Sequence, residues 1–460
     1  MQYSNATETS RLYRLTKFSI LRLWPRVFRC RNSLIKQTAS ILLLLAVTGA
    51  AAQNTDTKAF LEKNKEPVTP ELAANALFDT AFYQNRLFLF GENHGSAQPQ
   101  QYDLALLKHL HRHAGIKYYI AELDCTKAWM INNYLRDGNT GWLNKVFAGW
   151  NKDTSQWANK EYYNKFVQLH SYQQSLPENK KITVLGVDVL QDYSLLEEHM
   201  AFLTGSSKFE KYRSFIDTLN GMVKNNSNRP ELIAFSKRLL PVIRADSLFF
   251  RKSMGERYFS FRQLITSLTF LSAGMYRDSV MYRNLASQTE MLNLRNEKMY
   301  GFLGFFHCLQ TGYNKSMPFA ALVKKEGGAV VSIQMFALNC KTMLPYVAQV
   351  RQMMPKTYVD KLLQENKDFK GNGKYVPYDL SNDNFMMMVD GIGELKELSQ
   401  PGSVYLFKLT GAASPFNHVS KLAQITGFQS LSLNSKDSHT TDAFQYILLF
   451  RNSEAATPLE

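Results

Sequence analysis

The sequence predicts an α/β fold: a mostly parallel central sheet flanked by helices, with a large helical insertion between its third and fourth strands. Three observations carry this. Apolar runs of strand length alternate with helix-length segments of 3.6-residue periodicity. Four of those runs end on ionisable residues: Arg86–Phe90 leads through Gly91 to Glu92 and His94, Lys117–Ala121 into Glu122, Ile182–Val187 into Asp188, and Tyr300–Phe306 into His307. Residues 193–298, between the third and fourth runs, show no strand pattern. Ligands of open α/β sheets bind beyond the carboxyl ends of the strands, so the four runs aim chemistry at one crevice.

The elements follow in order. Asn54–Pro70 is a polar lead-in and Glu71–Phe82 a short helix. After the first strand, Gly91–Pro99 is a loop. Gln100–Ala114 is then a helix with Leu106, Leu107, Leu110 and Ala114 on one face. The second strand precedes a helix around Lys127–Leu135. Residues 136–160 place Trp142, Trp150 and Trp157 among Gly and Asn, which reads as an aromatic-rich loop near the site. Tyr162–Ser175 is a helix before the third strand. The insertion divides into helices over 194–203, 207–225, 230–250, 256–273 and 275–297. Strands resume at Tyr300–Phe306, Ala329–Met335, Val404–Leu409 and Phe444–Phe450, punctuated by Gly371-Asn372-Gly373 and Ser399-Gln400-Pro401-Gly402.

At 460 residues with 45% hydrophobic content the chain has material for a large core. Its net charge of +15 is concentrated at the start: before residue 53, eight Lys or Arg face a single acid, Glu8, and without that segment the charge falls to +8. No basic block interleaved with aromatics follows, which argues against a nucleic-acid partner. The segment reads as a targeting signal over residues 1–52. A basic stretch precedes Ile41–Val47, and Ala50-Ala51-Ala52 supplies the small residues for cleavage before Gln53. The apolar run is too short to span a bilayer, which takes about 20 residues, so no stable membrane span is expected after cleavage. The expectation is an exported protein, periplasmic or secreted, with 53–460 as one α/β domain and 193–298 inserted within it. Beyond the signal lie Cys125, Cys308 and Cys340. An odd count without paired spacing argues against a disulfide framework or a cysteine zinc site, though one bridge stays open.

Glu92 and His94, two apart in a turn after a buried strand, can face one cavity. A carboxylate orients an imidazole and raises its basicity, as activation of water requires. The plain alternative is a loop-capping Glu and a structural His. Glu122 closes a strand, where a carboxylate caps a helix or meets a partner across the strand ends; beside His94 on an adjacent parallel strand it would form a carboxylate–imidazole pair, while Asp188 equally suits a helix N-cap or turn. His307 closes a run containing Gly301 and Gly304, whose missing side chains allow close approach. His109 and His113, four apart on a helix, read as a solvated basic edge. The aromatics Phe249, Phe250, Tyr258, Phe259, Phe261 and Phe270 of the insertion suit a hydrophobic substrate or helix packing equally. There is no Gly-x-Ser-x-Gly elbow, phosphate-cradling loop or dinucleotide fingerprint.

Gly91-Glu92-Asn93-His94-Gly95, then Ala121-Glu122, then Gly186-Val187-Asp188, resembles the succession of core motifs in the erythromycin esterase family. Arg277-Asp278-Ser279-Val280-Met281-Tyr282-Arg283-Asn284, followed by a strand ending in His307, resembles that family's helix before its later histidine motif. Two features depart from the family. One residue, not two, separates Glu92 from His94, as in the wider superfamily of haem-uptake and Tiki-type proteins. Gly304 stands where the esterases commonly carry the first of two histidines. The resemblance implies an α/β hydrolase-like domain that uses no cofactor and opens an ester or lactone by histidine-activated water. It implies His94 as general base, Glu92 and Glu122 orienting it, and Arg277 and His307 binding substrate or stabilising the oxyanion. Asp188 joins the substrate-binding set, and the expected substrate is a small hydrophobic ester or lactone. Two other readings stay open: a divalent metal held by Glu92, His94, Glu122 and His307, and a non-catalytic cleft for a ligand such as haem.

Overall fold

The computed structural model describes residues 56–72, 76–205, 209–225, 229–270 and 276–459. The expected targeting segment, with its cleavage site, lies outside the described residues. No helix among the described residues is long and apolar enough to cross a membrane.

The strands are β1 Lys65–Pro67, β2 Leu87–Glu92, β3 Tyr118–Ala121, β4 Thr183–Gly186, β5 Met299–Gly304, β6 Val330–Leu338, β7 Cys340–Pro345, β8 Tyr375–Leu380, β9 Asp383–Asn384, β10 Met387–Val389, β11 Val404–Lys408, β12 Ile425–Thr426 and β13 Tyr446–Arg451. Eight of them form the main sheet in the order β1-β11-β13-β6-β2-β5-β3-β4. The run from β13 to β4 is parallel, and β11 pairs antiparallel with both β1 and β13. Every residue of β2 is buried, as expected for a parallel strand covered on both faces. Alternation by two divides the side chains between two cores. Phe88, Phe90, Tyr119, Tyr300 and Phe302 pack on one side, while Leu89, Ile120, Leu185 and Leu303 pack on the other.

The helices that frame the site are α1 Pro99–Ala114, α2 Cys125–Asp137, α3 Thr140–Lys152 and α4 Lys160–Gln174. The insertion follows as α5 Tyr193–Thr204, α6 Arg213–Asn225, α7 Arg229–Ala245, α8 Ser247–Met254, α9 Arg257–Thr269 and α10 Arg277–Met291. It comes between β4 and β5, the third and fourth strands of the sequence reading. Its core is its own: Leu196, Leu219, Leu239, Phe250, Phe261 and Leu264 are fully buried against each other. Phe250, Tyr258 and Phe261 thus serve helix packing and not a substrate surface.

Several expectations are corrected. The lead-in contains edge strand β1. The helix expected over 71–82 is reduced to Thr80–Tyr83, with 73–75 outside the described residues. The loop expected over 136–160 contains α3, whose Leu143, Val146, Phe147 and Trp150 are buried. The fourth expected strand stops at Gly304, and Phe305–Cys308 is a single 3-10 turn. Cys125, Cys308 and Cys340 are free and buried. His109 is also buried, bonded to the Tyr83 hydroxyl and the Leu72 carbonyl, and does not lie on a solvated edge.

Candidate active site

At the end of β2 the chain turns sharply through Gly95. Its φ of +84° and the absence of space for a side chain both require glycine: a Cβ would lie 2.5 Å from Thr342 Oγ1. The loop is pinned from outside. Thr342 Oγ1 and Gln156 Nε2 donate to the His94 carbonyl, at 2.6 and 3.2 Å. Ala456 N donates to the Gly95 carbonyl. Trp157 packs against the His94 ring at 4.8 Å between centroids.

Two carboxylate–imidazole pairs face one another here. His94 Nδ1 is 2.9 Å from Glu92 Oε1, and Glu92 Oε2 accepts from Gln100 Nε2. His307 Nδ1 is 2.7 Å from Asp278 Oδ1, which also accepts from the Phe319 backbone N–H. With Nδ1–H donating to the carboxylate, each neutral ring presents an unprotonated Nε2 to the cavity side of the pair. Both Nε2 atoms lie 3.8 Å from one oxygen, Glu122 Oε1. His94, Glu122 and His307 therefore meet at one point.

Glu122 and Arg277 hold that point together. Arg277 forks onto Asp188, Nε to Oδ1 at 2.8 Å and Nη2 to Oδ2 at 2.6 Å, and its Nη2 is also 2.6 Å from Glu122 Oε1. The register of α10 produces this contact. Asn284 donates to the Val187 and Asp188 carbonyls and Gln288 to the Gly186 carbonyl, which docks the helix on the end of β4. The other Glu122 oxygen accepts the Gly304 backbone N–H at 2.6 Å.

These contacts set the protonation states. Burial works against ionised Glu122, but the His94 and His307 imidazoles, Arg277 and the Gly304 N–H prevail and hold its pKa at about 2. Burial also disfavours charge on His94; the Glu122 carboxylate and the Glu92 hydrogen bond outweigh it, and the pKa stands above the ordinary 6.5. His307 is raised likewise, burial being overcome by the Asp278 hydrogen bond and the Glu122 charge.

Strand order changes one detail of the sequence reading. Glu122 does not reach His94 from an adjacent strand, because β5 lies between β2 and β3. The contact is possible because β5 ends in Gly304: a Cβ there would lie 3.1 Å from His94 Nε2 and 3.4 Å from Glu122 Oε2. Gly301, lower on the same strand, admits Leu89, whose Cδ2 would be 2.8 Å from an added Cβ. Both glycines thus permit the close approach their sequence implied.

Each oxygen of Glu92 and Glu122 has a hydrogen-bond donor, the Arg277 guanidinium among them. No group of three or more His, Cys, Asp or Glu among the described residues is arranged to hold a metal ion.

A cavity of about 680 Å³ opens beside the two pairs and includes Glu92, Asn93, His94, Gly304 and His307 in its lining. Its other wall comes from the β7–β8 hairpin and the short helices α11 Ala348–Met353 and α12 Lys356–Glu365. None of its lining belongs to the helical insertion. Sequence reasoning missed Asp278 and Trp157 as partners of the two histidines, and Gln100 as the partner of Glu92. It also passed over Asn93, whose Nδ2 is buried without a partner. For Asp278 a signal existed, its place beside Arg277.

No family model matches the chain, and no curated protein matches it in sequence. Solved structures do match in fold. A protein from Bacillus cereus is similar with a TM-score of 0.62 at 13% identity, over 88% of this chain and 99% of that one. A succinoglycan biosynthesis protein gives 0.58 at 12%, over 88% and 98%. A mutant of the erythromycin esterase EreC, in its open conformation, gives 0.54 at 12%, over 83% and 94%. This chain has the erythromycin esterase-like α/β fold.

Proposed function

We propose that the protein is a hydrolase that cleaves an ester or lactone by histidine-activated water. The observation that carries this reading is the convergence of two carboxylate-bound imidazoles on Glu122 Oε1, each Nε2 at 3.8 Å. At that separation a water molecule bridges what a direct hydrogen bond cannot. His94 Nε2, unprotonated while Glu92 holds the Nδ1 proton, removes a proton from water. The hydroxide attacks the carbonyl carbon, and the tetrahedral oxyanion forms. Protonated His307, paired with Asp278, stabilises that oxyanion; as the intermediate collapses the C–O bond to the alcohol breaks, and the proton that His94 took from water passes to the departing alkoxide, which restores neutral His94. The Asn93 amide, lining the same cavity, is a second donor. One such donor is commonly worth about 3–4 kcal/mol. Arg277 and Asp188 fix Glu122, and the Glu122 charge keeps both imidazoles basic.

The same fold in an erythromycin esterase supports the reaction class. The reading is metal-independent, supported by donors that already occupy the carboxylates. It places the enzyme outside the cytoplasm, supported by the basic and apolar start of the chain.

The test is hydrolysis of a mixed ester and macrolactone panel by the purified protein, with His94→Ala as control and metal content and haem absorbance measured on the same sample. Metal-free turnover lost in His94→Ala is the expected result. An active His94→Ala protein overturns the mechanism. Turnover that depends on a stoichiometric metal, or a haem spectrum in place of turnover, overturns the metal-independent hydrolase.

A further inference from the structure

The cavity beside the two histidine pairs is chemically lopsided. One end holds Glu92, His94 and His307; the far wall is hydrocarbon and thioether, built from Leu344, Val350, Met353, Met354, Pro355 and Met386. At its mouth Met353, Phe385 and Phe428 are 64%, 80% and 72% exposed. Exposed large apolar groups gathered on one rim mark a binding surface, and methionine is the side chain that adapts to a flexible apolar ligand.

Several polar side chains that line this cavity are committed elsewhere, while Tyr358, Tyr378 and Gln429 add a few polar groups to a lining that is otherwise largely apolar. Thr342 Oγ1 and Gln156 Nε2 are spent on the His94 carbonyl. Ser381 Oγ bonds Asp383 and accepts from Asn339 N, and Asn384 Oδ1 caps the backbone of Met386 and Met387. Asp379 lies on the exposed edge, opposite Lys341 in the hairpin register. Against Leu344, Val350, Met353, Met354, Pro355 and Met386 a substrate's hydroxyls would be buried unpaired, which is costly. A hydrocarbon chain meets no such cost.

Resting on the hydrolase reading, we infer that the substrate is an ester bearing a long, flexible hydrocarbon chain, with its carbonyl at His94 and its chain along the methionine wall. The occupant is assigned by continuity: the apolar wall and the reactive histidines belong to one cavity, so what lies on the wall is attached to what reacts.

The experiment compares acetyl, butyryl, octanoyl and decanoyl esters of p-nitrophenol, all below their aggregation limits, in wild type and in Leu344→Gln/Met354→Gln. Both substituted residues are only partly buried, so the fold should tolerate them, and neither touches the reacting groups. A fully buried methylene corresponds to about fourfold in kcat/KM at most, so a rise of at least tenfold from acetyl to decanoyl is expected. The folded variant should lose most of that rise, read as its own decanoyl-to-acetyl ratio against the wild-type ratio. A flat series in an active wild type overturns the proposal. Calorimetric binding of decananilide against acetanilide separates it from the hydrolase reading. No hydrolysis with decananilide bound much more tightly would keep the long-chain ligand and discard the chemistry. No hydrolysis with no difference in binding would overturn the proposal as well. A flat series with a dimer that the variant dissociates would give the surface to a second copy of the chain.

Discussion

Glu122→Gln keeps the shape of the side chain and removes the charge on which both imidazoles converge. Each Nε2 lies 3.8 Å from Glu122 Oε1. Unit charges at that distance attract by about 4 kcal/mol at an effective dielectric constant of about 20. Arg277, 2.6 Å from the same oxygen, cancels part of this in the native protein. In the variant Arg277 stays beside the rings with only Asp188 to neutralise it. A net change of about 1.4 kcal/mol moves a titration midpoint by one pH unit, so both histidines should titrate at least about one unit lower in the variant. The assay is an NMR titration of isotope-labelled histidine, with His94→Ala and His307→Ala assigning the two rings. The direction follows from charge: removing an anion disfavours the protonated imidazole. Midpoints that stay in place would refute the argument, because Glu122 would then be neutral or screened from the rings.

Other consequences follow from the same contacts. Gly304→Ala suits the local backbone, φ −58°, but puts a methyl 3.1 Å from His94 Nε2. Hydrolysis should fall about a hundredfold with the melting temperature little changed, and undiminished turnover would remove Nε2 from the reaction. Lys165 and Asp103 form a fully buried pair at 2.7 Å. Lys165→Met strands the carboxylate and should cost about 3–5 kcal/mol in denaturant unfolding, and the double change Lys165→Met/Asp103→Asn should recover part of that loss. Burial lowers the pKa of His199 from 6.5 to about 3. Below 6.5 the unfolded chain therefore takes a proton that the folded chain refuses, and stability drops as pH falls toward 3. His199→Gln should remove a slope of about 1.4 kcal/mol per pH unit in that window; parallel pH–stability curves for the two proteins would contradict a buried neutral ring.

What could be read from the chain was local. Glu92, Asn93 and His94 are contiguous with an apolar strand, so their common destination was visible before any fold was known. The same holds for Glu122, Asp188 and His307, each the terminus of a recognisable run. The partners that complete them were not local. Asp278 comes to His307 only because Asn284 and Gln288 dock α10 on β4, a register fixed by tertiary packing. Helix α3 was hidden by its Gly141, Gly149 and Asn residues, which weaken intrinsic propensity; burial of Leu143, Val146, Phe147 and Trp150 overrides them. The cavity wall was the largest omission. Strand β7 follows β6 after the single residue Asn339, whose φ of +52° turns the chain out of the sheet. Its hairpin partner begins thirty residues later, at Tyr375, too far along the chain for a tight turn to join the two strands.

The most direct test of the account is a turnover experiment in H₂¹⁸O with an ester that the wild type cleaves, run beside His94→Ala and His307→Ala. The predicted result is one ¹⁸O in the carboxylate product at each turnover, an unmodified protein, and loss of hydrolysis in the folded His94→Ala variant. Retained turnover in His94→Ala, or a covalent acyl-protein in the wild type, would contradict it.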